Sequence, residues 1–356
     1  MGKRATVVLD TCGGHAAPTA VVRAAARASR DSVANVLLVG DAHVLQDQLS
    51  LLPYDPMYLR IVPAPVGAPR PGDTRAWAQA AEAALPVAMQ LLVDGEADAL
   101  ISASPLPLVE RLAGQHLPKL PGALRLYSAS VFPTIPRAEG RDPLALLLDV
   151  SGHRVHSAAE LVQMAELGST YTRVVTGEPQ PAVALLSTGP GAGDGPQEVR
   201  EAHAWLQRGV GLRFVGNIRP PDLARGYADV VVTDGLVGHA VRGMLEGLTT
   251  MAVEAAKYAW KTKVTWRLAL RLLSQGVGML RTVSEFQAYG GAPLLGLDHL
   301  VLVVHEDSAE QAFDNAIRLA ARCQGRDLQG ALRACAATSQ TSAAAQAAPG
   351  EAREPV

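Results

Sequence analysis

Residues 5–29 read ATVVLDTCGGHAAPTAVVRAAARAS. The run at 5–9 is β-branched and leucine-containing throughout, which is typical of a strand buried on both faces. The alanine-rich run at 19–29 has the composition of a helix. Between them lie two adjacent glycines, Gly13 and Gly14, and then Pro18, a residue suited to the first position of a helix. The stretch therefore predicts a buried strand, a tight loop and a helix.

The same alternation recurs along the chain. Strand-like runs occupy residues 5–9, 36–39, 59–62, 99–102, 124–127, 145–149, 182–186, 212–215, 229–233 and 300–304. Helix-like segments occupy residues 19–29, 78–93, 158–173, 196–208 and 308–322. Several of the strand-like runs are apolar throughout, so the sequence predicts an α/β fold with a largely parallel sheet that helices cover on both faces.

Length and composition describe an ordinary globular protein. Of 356 residues, 48% are hydrophobic and 19% are charged, and 32 basic against 34 acidic residues give a net charge of −2. This balance excludes a disordered chain and a general nucleic-acid-binding protein. Cys12, Cys323 and Cys335 are too few for a disulfide framework, so we expect a reducing compartment, by default the cytoplasm. We also expect no signal peptide, since no long apolar segment follows Met1.

Six of the predicted strands end in small or polar residues, at the edge where an open α/β sheet places its ligands. These loops are residues 10–15, 102–104, 149–153, 187–189, 216–217 and 233–235. In the first of them, Gly13 and Gly14 allow backbone N–H groups to approach an anion, and the following helix adds positive potential. The first loop therefore predicts a phosphate site. Its spacing matches neither the dinucleotide fingerprint nor the P-loop.

Other candidate groups carry weaker signals. Cys12 is either a nucleophile or a small buried thiol, and the second is the commoner situation. His15, His153, His239 and His305 lie near predicted strand ends without the spacing of a metal site. Each of them is either a proton carrier or an ordinary surface residue. We expect no metal and no cofactor.

Residues 237–283 are helical in pattern and differ from the rest. Between 255 and 284 they carry six basic and no acidic residues, together with Tyr258, Trp260 and Trp266. A basic helix with tryptophans suits a membrane surface or an acidic partner, and a helical hairpin in a dimer is the equal alternative. We expect Trp260, Lys261, Lys263, Trp266 and Arg267 to make this contact. The alanine-rich tail, residues 331–356, is expected to be frayed or disordered.

The order of the motifs resembles that of the bacterial phosphate acyltransferases of phospholipid synthesis, the PlsX family. The resemblance spans most of residues 5–322. It rests on LDTCGGHAAP at 9–18, LVQMAELGS at 161–169, FVGN at 214–217, ADVVVTDGLVGH at 228–239 and YGGAPLLG at 289–296.

The resemblance implies a three-layer α/β/α fold like that of isocitrate and isopropylmalate dehydrogenases. One domain would span residues 1–330, with the segment 237–283 as a helical hairpin. It also implies a cytoplasmic homodimer, peripheral at the inner face of the membrane. The implied reaction moves a fatty acyl group from acyl carrier protein to inorganic phosphate, and a membrane-bound glycerol-phosphate acyltransferase would use the acyl phosphate.

The implied site needs donors for phosphate and for a tetrahedral oxyanion. We expect phosphate to bind at Gly13, Gly14, His15 and Gly235. The expected catalytic residues are Asn217, His239 and Asp234. Asp10 and Asp149 are expected to orient loops, because a bare carboxylate repels phosphate.

Several loops depart from the family pattern. The fourth-strand loop reads Ser102-Ala103-Ser104-Pro105 where the family has an Asn-Thr pair with glycines, and Arg219 replaces an acid. His153 stands at another changed position. The alternatives are therefore an inactive or altered paralogue that binds acyl carrier protein or membrane as a scaffold, and an enzyme that uses a coenzyme A thioester.

Overall fold

The computed structural model describes residues 4–66, 74–135, 144–152, 155–209, 211–262, 265–267 and 290–347. The strands are β1 Thr6–Asp10, β2 Asn35–Gly40, β3 Leu59–Pro63, β4 Ala99–Ser102, β5 Tyr127–Pro133, β6 Leu144–Leu148, β7 Ala182–Leu186, β8 Arg213–Ile218, β9 Val230–Val232, β10 Ala292–Leu295 and β11 Leu300–Val303. The helices are α1 Thr19–Arg30, α2 Ala42–Ser50, α3 Thr74–Val93, α4 Leu106–His116, α5 Ala158–Thr176, α6 Gln197–Gln207, α7 Gly235–Thr262, α8 Glu310–Gly325 and α9 Leu328–Ala347. A 3₁₀ helix covers Pro220–Arg225.

These strands form one sheet in the order β3-β2-β1-β4-β11-β10-β5-β6-β9-β7-β8. Neighbouring strands are parallel except in the middle, where β10 is antiparallel to β11 and to β5, and β5 is antiparallel to β6. The half made of β6, β9, β7 and β8 therefore runs opposite to the half made of β1–β4 and β11. The predicted α/β class and largely parallel sheet are confirmed.

Alternate strand residues face two different helical layers. Val7 and Leu148, from opposite halves of the sheet, belong to one apolar core that α1, α5 and α8 cover. On the other face the core is in two parts. Val8 packs with α3 and α4, whereas Val231 belongs to a second cluster against which Val241 of α7 packs. This second face is therefore divided between the two halves of the sheet.

Helix α5 is the central helix of the first layer. Its start is stabilised by a capping box, in which the Ser157 side chain accepts from the Glu160 N–H and the Glu160 side chain accepts from the Ser157 N–H. Every residue from Glu160 to Thr172 is buried. A helix that is buried all round needs neighbours on each side, and the sheet, α6, α8 and α9 supply them.

Helix α9 corrects the expected disorder of the tail. Alanine has the highest helix propensity, and Leu332 and Ala336, one turn apart, are both buried. Next on the same face, the Ser339 hydroxyl donates a hydrogen bond to the Glu166 carboxylate of α5. The alanine-rich composition reflects close packing against α5, not low complexity. Residues 348–356 lie outside the described residues.

Other boundaries differ from the prediction in particular places. Strand β5 covers Tyr127–Pro133 and not 124–127. Strand β10 and helices α2 and α4 were not predicted, because their short runs carry little periodicity. Helix α7 covers the first part of the segment 237–283, and residues 268–283 lie outside the described residues, so the helical hairpin stays a prediction.

Candidate functional site

The loop after β1 is anchored by the buried carboxylate of Asp10. This carboxylate accepts hydrogen bonds from the Cys12 N–H at 2.8 Å and from the Ser102 and Ser104 hydroxyls at 2.7 Å each. Burial raises the pKa of Asp10, although the two serines and the Cys12 N–H oppose the rise. Asp10 therefore orients the first loop, and the serines of the altered fourth-strand loop still hold it.

The glycines of this loop pack against the loop after β4. A Cβ atom on Gly13 would lie 2.3 Å from the Ser104 nitrogen, so a larger residue does not fit there. The N–H groups of Gly13 and Gly14 donate no hydrogen bond within the described part of the chain. Backbone donors of this kind are suited to an incoming oxyanion.

A cavity of about 390 Å³ lies beside this loop. Its walls come from the first loop, α2, α3, the loop after β4, and Glu306 after β11. The lining residues are Thr11, Cys12, Gly13, Gly14, His15, Ala17, Pro18, Thr19, Asp41, Val44, Leu45, Gln48, Val66, Trp77, Ala78, Ala81, Ser104, Pro105 and Glu306. The volume lies within the range of small-molecule pockets.

A second polar cluster surrounds Asp149 after β6. Its buried carboxylate accepts from the Ser128 hydroxyl, from the Ser151 N–H at 2.8 Å and from the Ser151 hydroxyl at 2.9 Å, and it lies 3.0 Å from Nε2 of His156. Burial alone would raise the pKa of Asp149, but the hydrogen bonds from His156, Ser128 and Ser151 outweigh burial and hold that pKa below its ordinary value. Asp149 is thus an ionised loop anchor.

The Asp149 loop packs against the start of α7. The Gly152 N–H donates to the Gly235 carbonyl at 3.0 Å, and a Cβ atom on Gly152 would lie 3.3 Å from Cγ of His239. The Asp234 carboxylate accepts from the Val237 N–H at 2.9 Å and so caps the helix. His239 is exposed beside the loop, whereas Asp234 has a structural contact.

Helix α7 connects the two loops across the divided face of the sheet. Val241 and Leu245 pack on its second core cluster. Glu246 lies 3.7 Å from Nε2 of His305, which precedes the cavity residue Glu306. Seven residues of α-helix separate His239 from Glu246, a rise of about 10 Å. Because the two halves of the sheet run in opposite directions, the loops after β1 and β11 and the loops after β6 and β9 lie at opposite ends of the strands, and α7 spans the distance between them. The six loops predicted from the sequence therefore do not share one edge of the sheet.

Asn217 lies elsewhere, at the edge of the sheet. Its side-chain nitrogen donates to the Gly191 carbonyl at 2.9 Å, and its oxygen lies 2.9 Å from Nδ1 of His203. Strand β8 is eight positions from β1 in the sheet, on the order of 40 Å for spacings of about 4.8 Å. The structure does not bring Asn217 to the first loop, and both polar atoms of its amide are engaged in holding the loop after β7.

The structure shows the surroundings of two further candidates, Arg219 and Cys12. Arg219 pairs with Asp222, with 3.0 Å between Nε and Oδ2. Burial, together with the charge of Asp10, raises the pKa of the Cys12 thiol to about 12, so this cysteine is a neutral buried thiol at physiological pH. His153 lies outside the described residues.

The aromatic and basic residues of the helical segment are on the surface. Trp260, Lys261, Trp266 and Arg267 are exposed, and Lys263 lies outside the described residues. The same helix also exposes larger apolar side chains, namely Leu236, Met244, Leu248, Met251 and Tyr258. Part of α7 therefore presents an apolar surface next to basic groups. Among the described helices, none is long and apolar enough to cross a bilayer.

Sequence reasoning missed His156, Ser128 and His203. His156 precedes the capping serine of α5 and is completely buried against Asp149, and only its proximity to a capping box could have drawn attention to it. Across the described ranges, no three histidine, cysteine or carboxylate side chains come together as a potential metal site.

The fold is an α/β fold of the kind found in phosphotransacetylases. A phosphotransacetylase from Streptococcus pyogenes superposes with a TM-score of 0.58 over 91% of this chain and 95% of its own, at 19% identity. The chain itself belongs to the fatty acid synthesis protein family, whose model matches residues 5–330.

Two relatives illustrate the sequence similarity. A phosphate acyltransferase from Elusimicrobium minutum strain Pei191 is 32% identical over 318 residues, which cover 89% of this chain and 91% of the relative. A phosphate acyltransferase from Syntrophobacter fumaroxidans strain DSM 10017 / MPOB is 33% identical over 326 residues, with coverages of 89% and 88%.

Proposed function

We propose that this protein is an acyltransferase that moves a fatty acyl group from acyl carrier protein to inorganic phosphate. Membership of the fatty acid synthesis protein family and the similarity to phosphate acyltransferases support the reaction class. The observation that carries the proposal is the first loop, where the N–H groups of Gly13 and Gly14 have no partner in the described chain and border a cavity.

The reaction requires alignment and charge stabilisation more than a reactive side chain. Hydrogen phosphate attacks the thioester carbonyl, a C–O bond forms, the C–S bond breaks, and the phosphate proton ends on the leaving thiolate. The Gly13 and Gly14 amides stabilise the tetrahedral oxyanion. We propose that phosphate is held beside this loop at His15, and that His239, which faces Gly152, is a second candidate donor. The Gly235 carbonyl already accepts the Gly152 N–H, one helical turn further from the first loop.

Asp10, Asp149 and Asp234 take part only as anchors of loops and of the helix start. Each of their carboxylates already accepts hydrogen bonds from its own loop or helix. Asn217 likewise acts at a distance, by holding the loop after β7. Since phosphate is itself a nucleophile, we propose direct transfer, in which the buried Cys12 forms no covalent acyl-enzyme.

The exposed surface of α7 and of residues 265–267 is suited to the expected contacts with acyl carrier protein, a second subunit or the membrane. Acyl carrier protein is acidic, and Lys261 and Arg267 offer positive charge beside Trp260 and Trp266. We propose that the apolar part of α7 contacts a second subunit or the inner face of the cell membrane, where a glycerol-phosphate acyltransferase would receive the product. A blue shift of tryptophan emission on adding anionic vesicles would support membrane contact, and a change in mass with protein concentration would support a homodimer.

The test is acyl phosphate formation from hexadecanoyl acyl carrier protein and inorganic phosphate. We expect phosphate-dependent turnover that falls 100-fold or more in His239→Ala, with unchanged thermal stability because His239 is exposed. His116→Ala, an exposed histidine on α4, is the matched control. Asn217→Ala is expected to lose stability together with activity.

Two other results would replace the proposal. Binding of acyl carrier protein without turnover would establish the alternative, a scaffold on an inherited fold. Turnover with hexadecanoyl coenzyme A alone would assign a different donor.

A further inference from the structure

The cavity beside the first loop has the wall chemistry of a site for an uncharged chain. Its inner wall is formed by Cys12, Leu45 and Ala81, all buried. The polar side chains of that wall are already engaged, because the Thr11 hydroxyl donates to the Val39 carbonyl and the Ser104 hydroxyl donates to Asp10. The Gln48 side-chain oxygen, also in the lining, is buried and has no hydrogen-bond partner in the described chain.

Charge argues against an anionic occupant of the cavity. Among the described residues, the lining contains the carboxylates of Asp41 and Glu306 and no lysine or arginine. Apart from the Gly13 and Gly14 N–H groups at the first loop, the described lining offers a phosphate or a nucleotide no lysine or arginine to balance these carboxylates. A hydrocarbon chain is not repelled, and it would gain from contact with Val44, Val66 and Trp77.

The cavity has an exposed end at the first loop and a buried end between α2 and α3. Gly14, His15 and Glu306 line its more exposed part, whereas Leu45 and Ala81 line its buried part. A thioester with its carbonyl at the Gly13 and Gly14 amides could therefore extend its acyl chain inward, toward Leu45 and Ala81.

We propose that the cavity formed by the first loop, α2 and α3 holds the alkyl chain of the acyl donor, and that Ala81 and Leu45 limit the chain length used. This inference rests on the proposed function. In that site the cavity would hold the fatty chain, and Ala81 and Leu45 would determine which chain lengths fit.

The first experiment measures kcat/KM for donors of six to sixteen carbons in Ala81→Leu. Each methylene excluded from an apolar site costs about fourfold in binding. We expect hexadecanoyl transfer to fall at least tenfold and hexanoyl transfer to stay within twofold. Ala83→Leu on the same helix, away from the cavity lining, is the matched control and should leave the profile unchanged. An equal loss for all chain lengths would overturn the proposal.

The second experiment does not need turnover. Trp77 lines the cavity, whereas Trp205, Trp260 and Trp266 do not. Brominated dodecanoate should quench the fluorescence of the wild-type protein, and the quenching should disappear in Trp77→Phe. Quenching that persists in Trp77→Phe would place the chain elsewhere and overturn the proposal. Quenching through Trp77 in a protein without transfer activity would separate a failed reaction from a correct chain site.

A substitution at Gln48 distinguishes two occupants of the cavity, the alkyl chain and the amide-bearing pantetheine arm of the donor. Its side-chain oxygen is buried on the cavity side of α2 and has no hydrogen-bond partner in the described chain. If an alkyl chain passes it, Gln48→Leu should retain or improve hexadecanoyl transfer. A uniform tenfold loss for all acyl lengths would assign the cavity to pantetheine and overturn the proposal.

Discussion

Nε2 of His156 lies 3.0 Å from a carboxylate oxygen of Asp149, and neither side chain is exposed to solvent. The pair stands beneath the loop that packs on the start of α7. Because Asp149 also accepts hydrogen bonds from Ser128 and Ser151, it joins β5, β6 and the beginning of α5. The position of His239, which the Gly152 end of this loop contacts, therefore depends on a buried hydrogen-bond network around Asp149.

Removing His156 should be costly. His156→Ala leaves a buried carboxylate without one of its partners, and we expect the free energy of unfolding to fall by about 3 kcal/mol. Urea denaturation followed by circular dichroism measures it. The exposed His116→Ala should change stability by less than about 0.5 kcal/mol. Equal effects of the two substitutions would contradict the anchoring role of His156.

The lowered pKa of Asp149 predicts that the contribution of this residue to stability is lost on acidification. Its pKa in the folded protein is lower than its ordinary value, so the stabilisation is fully present above the ordinary value of about 4 and is lost as the pH falls through the folded pKa. We expect the stability difference between wild type and Asp149→Asn to be constant from pH 7 to 5 and to shrink below pH 4. A difference that grows on acidification would show the opposite shift.

Cys12 should be dispensable for chemistry. Its thiol has a pKa raised to about 12, so almost no thiolate exists at pH 7.5. Cys12→Ala should keep acyl transfer within about threefold, and iodoacetamide should label Cys12 in native protein far more slowly than after denaturation. Loss of activity by 100-fold with an intact fold would instead indicate a covalent intermediate.

Gly238 should tolerate no side chain. A Cβ atom there would lie 1.8 Å from the Asp149 carbonyl oxygen, so Gly238→Ala must separate the Asp149 loop from α7. We expect at least a 100-fold loss of acyl transfer. Gly243→Ala is the matched control on the same helix, because nothing lies within 4 Å of its Cβ position. Higher helix propensity should make that variant more stable by up to about 1 kcal/mol. Comparable activity of both variants would exclude the close contact as a requirement.

Helix α9 should contribute to folding. A chain ending at residue 330 would lose the buried Leu332 and Ala336 and the partner of Glu166, and we expect its thermal midpoint to fall by several degrees or its expression to fail. A chain ending at residue 347 keeps α9 and should match the full protein. If both chains are as stable as the full protein, the helix has no structural role.

Local sequence was enough for the class of fold and for much of the first loop. Runs such as 7–9 and 182–186 are apolar throughout, and only a strand covered on both faces can bury every residue of such a run. Likewise, two adjacent glycines between a strand and a helix leave N–H groups open to a ligand. These signals lie within a few residues, so they are readable without knowing the rest of the chain.

The tertiary structure decided what depends on residues distant in sequence. Whether the Asn217 amide faces a ligand or the Gly191 carbonyl depends on the path of a loop 26 residues earlier, and the burial of His156 depends on Asp149 and Tyr127. Strand direction in the two sheet halves follows from the antiparallel pairing of β10 and β5. Hydrogen bonds and burial are set by neighbours in space, and a linear pattern records only neighbours along the chain.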